Sequence, residues 1–235
     1  MAVNDRVLVI GGTRGTGLLI TRFLLRDGYR VRALARNDAD AKRKLAAEVE
    51  IVVGDVTKPQ TLTAAAKDVD HIVFTAGVTK RPAGERLIRA TEYDGVRNTL
   101  DAATHLGFRG RFLYMTSIGV TKSSLAATLL NLVKRNTLRW RSRAEDEIRR
   151  SLLSYTIIRA GFLTNAPAGT RAIEVSQRNY PLTVTYRIAR GDVAEVFAET
   201  LKHPSTSRTT FEVVWGKGTV RESWSVLFSG LKPDA

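Results

Sequence analysis

The 235-residue sequence predicts an α/β fold in which a doubly wound parallel sheet forms one domain, residues 1–235. Three observations support this prediction. Apolar runs typical of strands alternate with helical patterns along the chain. A glycine-rich turn separates the first predicted strand from the first helix. The length also falls among single α/β domains, which reach about 200–250 residues.

The predicted strands are short, nearly continuous apolar runs, and such runs are typical of strands that are covered on both faces. In chain order they are Arg6–Ile10, Arg30–Ala35, Glu50–Gly54, Asp70–Ala76, Arg111–Thr116, Tyr155–Arg159 and Thr210–Val214. Because each is followed by a helical pattern, neighbouring strands are expected to run parallel.

The predicted helices carry apolar residues at spacings of three and four. They are Gly15–Asp27, Asp38–Ala47, a short helix after Pro59, Glu85–Leu106, Ser123–Ser151 with a break near Asn136, Asp192–Leu201 with Asp192 as its cap, and a C-terminal helix carrying Trp224, Leu227 and Phe228. Residues 163–186 fit no period and are expected to be irregular. Such a segment beyond the carboxyl end of a strand usually frames the ligand crevice, so we expect the substrate side there.

The turn after the first strand has the glycine spacing G-x-x-x-G-x-G, formed by Gly11, Gly15 and Gly17. In a strand–turn–helix context, the first glycine permits the tight turn, the second lets backbone N–H groups approach a pyrophosphate, and the third allows the helix to pack on the sheet. The free N–H groups of the helix N-terminus then favour an anion. The sequence therefore predicts a Rossmann-type dinucleotide site, completed within the turn by Thr13, Arg14 and Thr16.

The residue that follows the second strand indicates which dinucleotide binds. An acidic side chain usually stands there in NAD-binding folds and accepts from the ribose 2′-hydroxyl. Here the position holds Arg36, and Arg14 in the turn can lie beside it. Two guanidinium groups suit a 2′-phosphate, so NADP is the predicted cofactor. The alternative is that both arginines are solvated surface residues. Asp38 and Asp40, which follow, are interpreted as helix-start residues.

The ends of later strands complete the predicted cofactor site. Asp55 is expected to accept from the adenine amino group. The run Thr75, Ala76 and Gly77 is expected to line the adenosine ribose. The other predicted cofactor contacts are Val56, Thr116, Ala160, Gly161 and Phe162.

Composition limits the remaining function classes. The net charge of +14 invites a nucleic-acid partner, but the basic stripe that would form it lacks interleaved aromatic side chains. We therefore interpret the stripe as a solvated helix face; it consists of Lys134, Arg135, Arg139, Arg143 and Arg150. Three scattered histidines and no cysteine disfavour a metal site. No signal peptide and no membrane-spanning run are recognisable, so we expect a cytoplasmic protein without a membrane partner.

Together, these motifs resemble the short-chain dehydrogenase/reductase superfamily, and most closely its atypical NmrA-like and biliverdin/flavin-reductase-like branch. The segments that carry the resemblance are Ile10–Gly17, Arg32–Arg36, Val53–Asp55, Tyr93–Asn98, Met115–Ser117, Trp140–Glu145, Tyr155–Gly161 and Arg190–Glu195. One departure is local: the atypical branch usually spaces its glycines G-x-x-G-x-x-G, whereas this turn has the spacing of the ordinary catalytic branch.

The resemblance implies a Ser–Tyr–Lys catalytic set, which this chain retains only in part. Ser117 matches the serine that polarises a carbonyl. Arg141 stands in place of the lysine, and Thr137, four residues earlier, replaces the tyrosine that donates the proton. Neither replacement is a good proton donor near neutral pH. Other tyrosines can be considered as the acid, and no spacing selects one of them: Tyr93, Tyr180 and Tyr186.

The leading functional hypothesis is an NADPH-dependent reductase whose small-molecule acceptor takes its proton from water: a flavin, a quinone or a conjugated ring. A second hypothesis is a non-catalytic NADP(H) sensor or assembly protein. A third and weaker hypothesis is nucleic-acid binding through the basic surface. We expect a monomer, because the helix that pairs in family dimers is strongly charged here.

Overall fold

The computed structural model describes residues 4–78, 83–122, 125–133 and 135–234 of the chain. Its centre is an eight-stranded sheet in the order β3-β2-β1-β4-β5-β6-β10-β8, and β7 pairs with β9 in a separate two-stranded sheet. The strands are β1 (Arg6–Ile10), β2 (Arg30–Ala35), β3 (Glu50–Val53), β4 (His71–Phe74), β5 (Arg111–Ser117), β6 (Ser154–Ala160), β7 (Phe162–Thr164), β8 (Ile173–Ser176), β9 (Arg187–Ala189) and β10 (Thr209–Trp215).

Helices cover both faces of this sheet. They are α1 (Gly15–Arg26), α2 (Asp38–Lys42), α3 (Leu62–Ala66), α4 (Glu85–Arg89), α5 (Gly95–His105), α6 (Leu125–Val133), α7 (Thr137–Arg150), α8 (Arg190–Lys202) and α9 (Trp224–Ser229). One π-helical turn, Ala90–Asp94, joins α4 to α5. Short 3₁₀ turns occupy Pro59–Thr61 and Pro204–Thr206. Among the described residues, no helix is long and apolar enough to cross a bilayer.

Alternation along β1 shows why the sheet needs helices on both sides. Val7 and Val9 pack into one hydrophobic cluster with α1 and α8, whereas Leu8 and Ile10 pack into a second cluster with α3, α5 and α7. Successive side chains of a strand point to opposite faces, so an all-apolar strand must be covered twice. The predicted doubly wound α/β fold is thereby confirmed.

The substrate-side segment is more regular than the sequence predicted. Residues 163–186 were expected to be irregular, but they contain most of β7 and all of β8. Strand β8 pairs antiparallel with β10 at the edge of the otherwise parallel sheet, for example Val175 with Val213. Strand β7 has only three residues, and β8 reads IEVS with only two apolar residues, so neither contains an apolar run of recognisable length, which explains the wrong expectation.

Asp192 was expected to cap the helix at its N-terminus, and this is wrong because α8 begins two residues earlier, at Arg190. The Asp192 carboxylate is fully buried and accepts hydrogen bonds from the Gly169 backbone N–H (2.8 Å), the Trp215 indole N–H (2.7 Å) and the Arg221 guanidinium. It joins the loop before β8 to the end of β10.

The two long predicted helices are interrupted. Residues 85–106 were expected to form one helix, and the π-helical turn divides them into α4 and α5. The predicted break near Asn136 is confirmed, because Asn136 has φ +64° between α6 and α7. Ser123, Ser124 and Lys134, which the prediction included, lie outside the described residues. Helix α2 ends at Lys42 rather than at Ala47.

We predict a single cooperative unfolding transition for the chain, since one eight-stranded sheet, covered by a hydrophobic cluster on each face, spans it from β1 to β10. Adding NADP at a hundred times its dissociation constant should raise the free energy of unfolding by about 2.7 kcal/mol. Scanning calorimetry with and without NADP measures both. Two separable transitions would contradict the single-domain assignment.

Candidate functional site

The glycine turn is built so closely that side chains are excluded from it. A Cβ atom at Gly17 would lie 2.2 Å from the Gly11 carbonyl oxygen, and one at Gly11 would lie 2.8 Å from both Ala76 N and Thr75 Oγ1. Gly11 and Gly15 also have positive φ values, +92° and +55°. The first and third glycines of the motif therefore let the turn, α1 and the end of β4 touch one another through their backbones.

Two hydrogen bonds join the turn to the neighbouring strand, since Thr75 N (2.8 Å) and Thr75 Oγ1 (3.1 Å) both donate to the Ile10 carbonyl. This junction lies between β1 and β4, where the strand order reverses and where open α/β sheets bind their ligands. Helix α1 begins there without a side-chain cap and without an acidic residue in its first turn. The first backbone N–H groups of a helix have no partner within the helix, and such groups suit a phosphate. In this first stretch Thr16 is buried and Thr13 is half-buried.

Arg14 and Arg36 are both exposed, and neither side chain has an ion pair or hydrogen bond with any described residue. The nearby acids have other partners. Asp38 pairs with a lysine of its own helix (2.7 Å), and Asp40 pairs with two basic residues of the next turn (3.1 and 2.6 Å). Asn37 caps this helix by accepting from Asp40 N at 2.8 Å. Both guanidinium groups thus remain available to an added anion.

The chain after β3 packs against α5 and carries a carboxylate, Asp55. Asp55 is half-buried, and its Oδ1 accepts from the Thr57 N–H and hydroxyl, both at 2.9 Å. Its other oxygen, Oδ2, has no partner among the described residues. Val56 is buried against Gly95, and its carbonyl accepts from Asn98 Nδ2 at 2.8 Å. The unpaired oxygen makes Asp55 available to a donor such as an amino group.

Strands β5 and β6 end side by side. Ser117 is in register with Ala160, and Thr116 is buried with a hydroxyl that has no hydrogen-bond partner among the described residues. Beyond them, Gly161 N donates to a β10 carbonyl at 2.9 Å, and Phe162 N donates to a carbonyl just before β9 at 2.7 Å. The Phe162 side chain is 50% exposed. The predicted residues of both strands therefore lie together at the carboxyl end of the sheet.

A buried carboxylate that the sequence analysis missed lies between the predicted cofactor and substrate sides. Glu92, in the π-helical turn, is 3% exposed. Its Oε2 accepts from Thr137 Oγ1 at 2.5 Å and from Arg141 Nε at 3.0 Å, and its Oε1 accepts from Val78 N at 3.0 Å. A Cβ atom at Gly77 would lie 3.0 Å from Arg141 Nη2. The two residues at the tyrosine and lysine positions thus share one carboxylate, which holds the arginine at the end of β4.

The charges of this cluster stabilise each other. Burial alone would raise the pKa of Glu92, but Arg141 and the hydrogen bonds from Arg141, Thr137 and Val78 offset it and leave that pKa below its ordinary value. Burial alone would lower the pKa of Arg141, and the Glu92 carboxylate overcomes it, so that this pKa is raised. Arg141 is therefore a permanent cation that does not exchange protons.

One signal in the sequence points to Glu92. Ile88, Glu92 and Val96 are spaced by four residues and lie on the face that packs on the sheet; Ile88 and Val96 are buried. A charged residue inside an apolar stripe requires a buried partner. The sequence analysis predicted a helix over residues 85–106 and did not consider this stripe, so Glu92 was not selected.

The candidate replacement tyrosines are already engaged. The Tyr93 hydroxyl donates to Glu147 Oε1 at 3.0 Å, and the Tyr180 hydroxyl donates to Glu174. Burial, together with these carboxylates, raises the pKa of both phenols. Tyr186 stacks on Tyr180 with ring centroids 4.2 Å apart. The contacts of Tyr93 and Tyr180 make both phenols weaker acids than free tyrosine.

A second buried ion pair fixes the substrate-side segment. Arg159, near the end of β6, binds Glu145 through two contacts, Nη2–Oε2 at 2.7 Å and Nε–Oε1 at 3.2 Å. Its Nη1 also donates to Asn179 Oδ1 at 2.7 Å. Next to it, Glu212 Oε2 accepts from Tyr180 N at 2.9 Å. The chain around residue 180 is thereby held against the carboxyl end of the sheet.

Comparison with known proteins agrees with this geometry. A family model described as NAD(P)H-binding matches residues 11–204. A sanguinarine reductase of Eschscholzia californica is 28% identical, over 95% of this chain and 94% of its own length. A photosystem II assembly factor of Trieres chinensis is 25% identical, over 91% of this chain and 65% of its own length. A crystallised putative NAD-dependent epimerase/dehydratase of Bacillus halodurans superposes with a TM-score of 0.78 at 27% identity, over 92% of this chain and 96% of its own.

We predict that Glu92→Gln lowers stability at neutral pH by about 3–5 kcal/mol, because it leaves the partly buried Arg141 guanidinium without its counter-charge. The pKa of Glu92 is depressed in the folded state, so its contribution is present above the ordinary glutamate pKa of about 4.3. That contribution is lost as the pH falls through the lower folded-state pKa. The difference between wild type and variant should therefore shrink in acid.

Urea unfolding at a series of pH values between neutral and strongly acid measures this difference. Glu48→Gln, at an exposed glutamate, serves as the matched control and should stay within about 0.5 kcal/mol of wild type. A Glu92→Gln deficit that is small at neutral pH, or that stays constant in acid, would show that Glu92 is not the charged partner of Arg141.

Proposed function

The chain belongs to the NAD(P)H-binding family, and on this premise we propose that it is an NADPH-dependent reductase. The observation that carries the proposal is the cluster of Glu92, Thr137 and Arg141, which contacts Gly77 after β4, the strand that lies between β1 and β5 in the sheet. The cluster keeps the Arg141 guanidinium, paired with a carboxylate, where the cofactor is expected, and neither Thr137 nor Arg141 can act as a general acid near neutral pH. A reductase of this design is restricted in the acceptors that it can reduce.

We propose that the glycine turn and the N-terminus of α1 hold the cofactor pyrophosphate, that Arg14 and Arg36 bind the 2′-phosphate, and that Asp55 Oδ2 accepts from the adenine amino group. The unpaired arginines and the unpaired oxygen support these roles. Further contacts of the cofactor would come from strand ends at the same edge of the sheet. They are Thr13, Thr16, Val56, Thr75, Ala76, Gly77, Thr116, Ala160, Gly161 and Phe162.

Bound NADPH supplies a hydride, which is two electrons and one proton. Arg141 would bind the nicotinamide ribose, since Glu92 orients its guanidinium beside Gly77. Ser117, at the end of β5, would orient the acceptor by a hydrogen bond. Glu92 acts through Arg141 and is a positioning residue.

The second proton of the reduction would come from water. The Thr137 hydroxyl already donates a hydrogen bond to Glu92, and Arg141 keeps its charge at any ordinary pH. A positioned general acid is worth about 10²–10⁴-fold in rate, so simple carbonyls should be poor substrates. Suitable acceptors are stable as anions after they receive a hydride, which favours a flavin, a quinone or an extended conjugated ring. The relative named as a sanguinarine reductase supports the assignment to reductases.

A non-catalytic role is the second candidate, and the relative named as a photosystem II assembly factor favours it. In that role the bound cofactor would set the affinity of the chain for another macromolecule. The same cofactor contacts serve both functions, so turnover distinguishes them. For either function we propose a monomer in the cytoplasm, a reducing compartment that suits a chain without cysteine.

We predict at least tenfold tighter binding of NADPH than of NADH. Each charged hydrogen bond to the 2′-phosphate contributes about 1.5–3 kcal/mol, so Arg36→Ala should weaken NADPH binding about tenfold or more and leave NADH binding nearly unchanged. Titration calorimetry at fixed salt measures both. Arg22→Ala, at an exposed arginine of α1, is the control for net charge. Equal affinities for the two cofactors would refute the 2′-phosphate assignment.

We predict NADPH oxidation with flavins, quinones or conjugated rings and little with simple aldehydes and ketones. Ser117→Ala should raise KM for the acceptor and reduce kcat only modestly, because serine orients the acceptor and supplies no proton. Steady-state absorbance assays over an acceptor panel measure this. Fast reduction of a plain ketone would mean that another acid is positioned. Tight NADPH binding without oxidation by any acceptor would favour the sensor.

A further inference from the structure

Helix α6 exposes its apolar side. Leu129, Leu132 and Val133 are 61%, 76% and 55% exposed, whereas Ala127 on the other side is 4% exposed. Residues three and four apart lie on one helix face, so the three exposed side chains form one patch. A surface helix of a globular protein normally buries this face. The patch is therefore a candidate contact surface.

Basic residues border this patch. Arg135 lies in the corner after α6 and Arg139 in the first turn of α7, and both are exposed. Neither has a carboxylate within 4.0 Å among the described residues. The carboxylate of Glu85 interacts electrostatically with both arginines at longer range, but its hydrogen bonds come from Asn136 (3.0 Å) and Trp140 (3.1 Å). We call Leu129, Leu132, Val133, Arg135 and Arg139 the α6 surface.

The corner between α6 and α7 fixes how the α6 surface is presented. Asn131 accepts at both of its oxygens, from Asn136 N to its carbonyl at 2.7 Å and from Leu138 N to its Oδ1 at 2.9 Å. A cavity of about 110 Å³ lies between this corner and the chain that follows Ser117, with Gly119 and Arg139 in its lining. The apolar and basic parts are thus held together, next to the substrate side of the sheet.

We propose that the α6 surface docks on an anionic lipid membrane. An apolar helix face beside unpaired arginines matches a bilayer surface, where acyl chains receive the apolar side chains and anionic headgroups attract the cations. The net charge of +14 adds long-range attraction. Our sequence-based expectation of no membrane partner considered only spanning segments, and a helix that lies on the bilayer needs none.

Charge argues against a second copy of the chain as the occupant. A two-fold dimer places the same patch of both subunits together, so each arginine of the α6 surface would face its own copy. Exposed Arg143, one turn along α7, adds to this repulsion. An anionic bilayer would instead attract these arginines. The inference does not depend on the proposed function, because docking requires neither cofactor nor turnover.

Cosedimentation of the full chain with lipid vesicles tests the proposal. Vesicles of phosphatidylcholine mixed with phosphatidylglycerol should bind the chain at low ionic strength, and pure phosphatidylcholine vesicles should bind it far less. Arg135→Gln with Arg139→Gln should weaken binding about 25-fold, since each cation near an anionic surface contributes about fivefold. Leu129→Ser with Leu132→Ser should weaken it at least about tenfold.

Matched controls separate the α6 surface from net charge and from apolarity in general. Arg22→Gln with Lys217→Gln removes two exposed charges elsewhere, and Leu152→Ser with Val220→Ser removes two exposed apolar side chains elsewhere. Both control pairs should bind nearly as well as wild type. Equal losses in the control pairs would refute the proposal, and so would an absence of binding to anionic vesicles. A wild-type dimer in light scattering that Leu132→Ser converts to a monomer would also overturn it.

Discussion

The ion pair between the buried Glu92 carboxylate and Arg141 holds together the elements at the centre of the molecule. The carboxylate joins the π-helical turn to α7 and to the chain after β4 by accepting from three donors: Thr137 Oγ1, Arg141 Nε and Val78 N. A carboxylate that is 3% exposed is tolerated only with such partners. Removing one partner of a buried pair typically costs about 3–5 kcal/mol, a large share of the stability of one domain.

The same ion pair limits the chemistry of the site. A tyrosine–lysine pair can release a proton, whereas a threonine bound to a carboxylate and an arginine with a raised pKa cannot. Under the proposed function, Arg141 would still orient a ribose and Ser117 would orient an acceptor. Positioning would then be retained without acid catalysis, so the choice of acceptor, rather than the choice of cofactor, would distinguish this chain from reductases that keep a tyrosine–lysine pair.

The fold and the glycine turn could be predicted from sequence because their signals are local. Gly17 must be glycine, since its neighbour is a backbone oxygen, and Arg36 follows a strand whose end is easy to locate. The partners of Glu92 lie up to 49 residues away, so its role depended on packing that no local pattern encodes. Asp192 shows the same limit: its position suggested a helix cap, and its partners come from three distant segments.

The most direct test of the central claim is a crystal structure with NADP bound, in which the distance from the Arg141 guanidinium to the nicotinamide ribose is measured. The account predicts hydrogen bonds from Arg141 to the ribose hydroxyls while its bond to Glu92 is kept. It also predicts that no tyrosine hydroxyl lies within reach of the nicotinamide. An Arg141 side chain that has left Glu92 for solvent, or a tyrosine hydroxyl beside the nicotinamide ring, would contradict it.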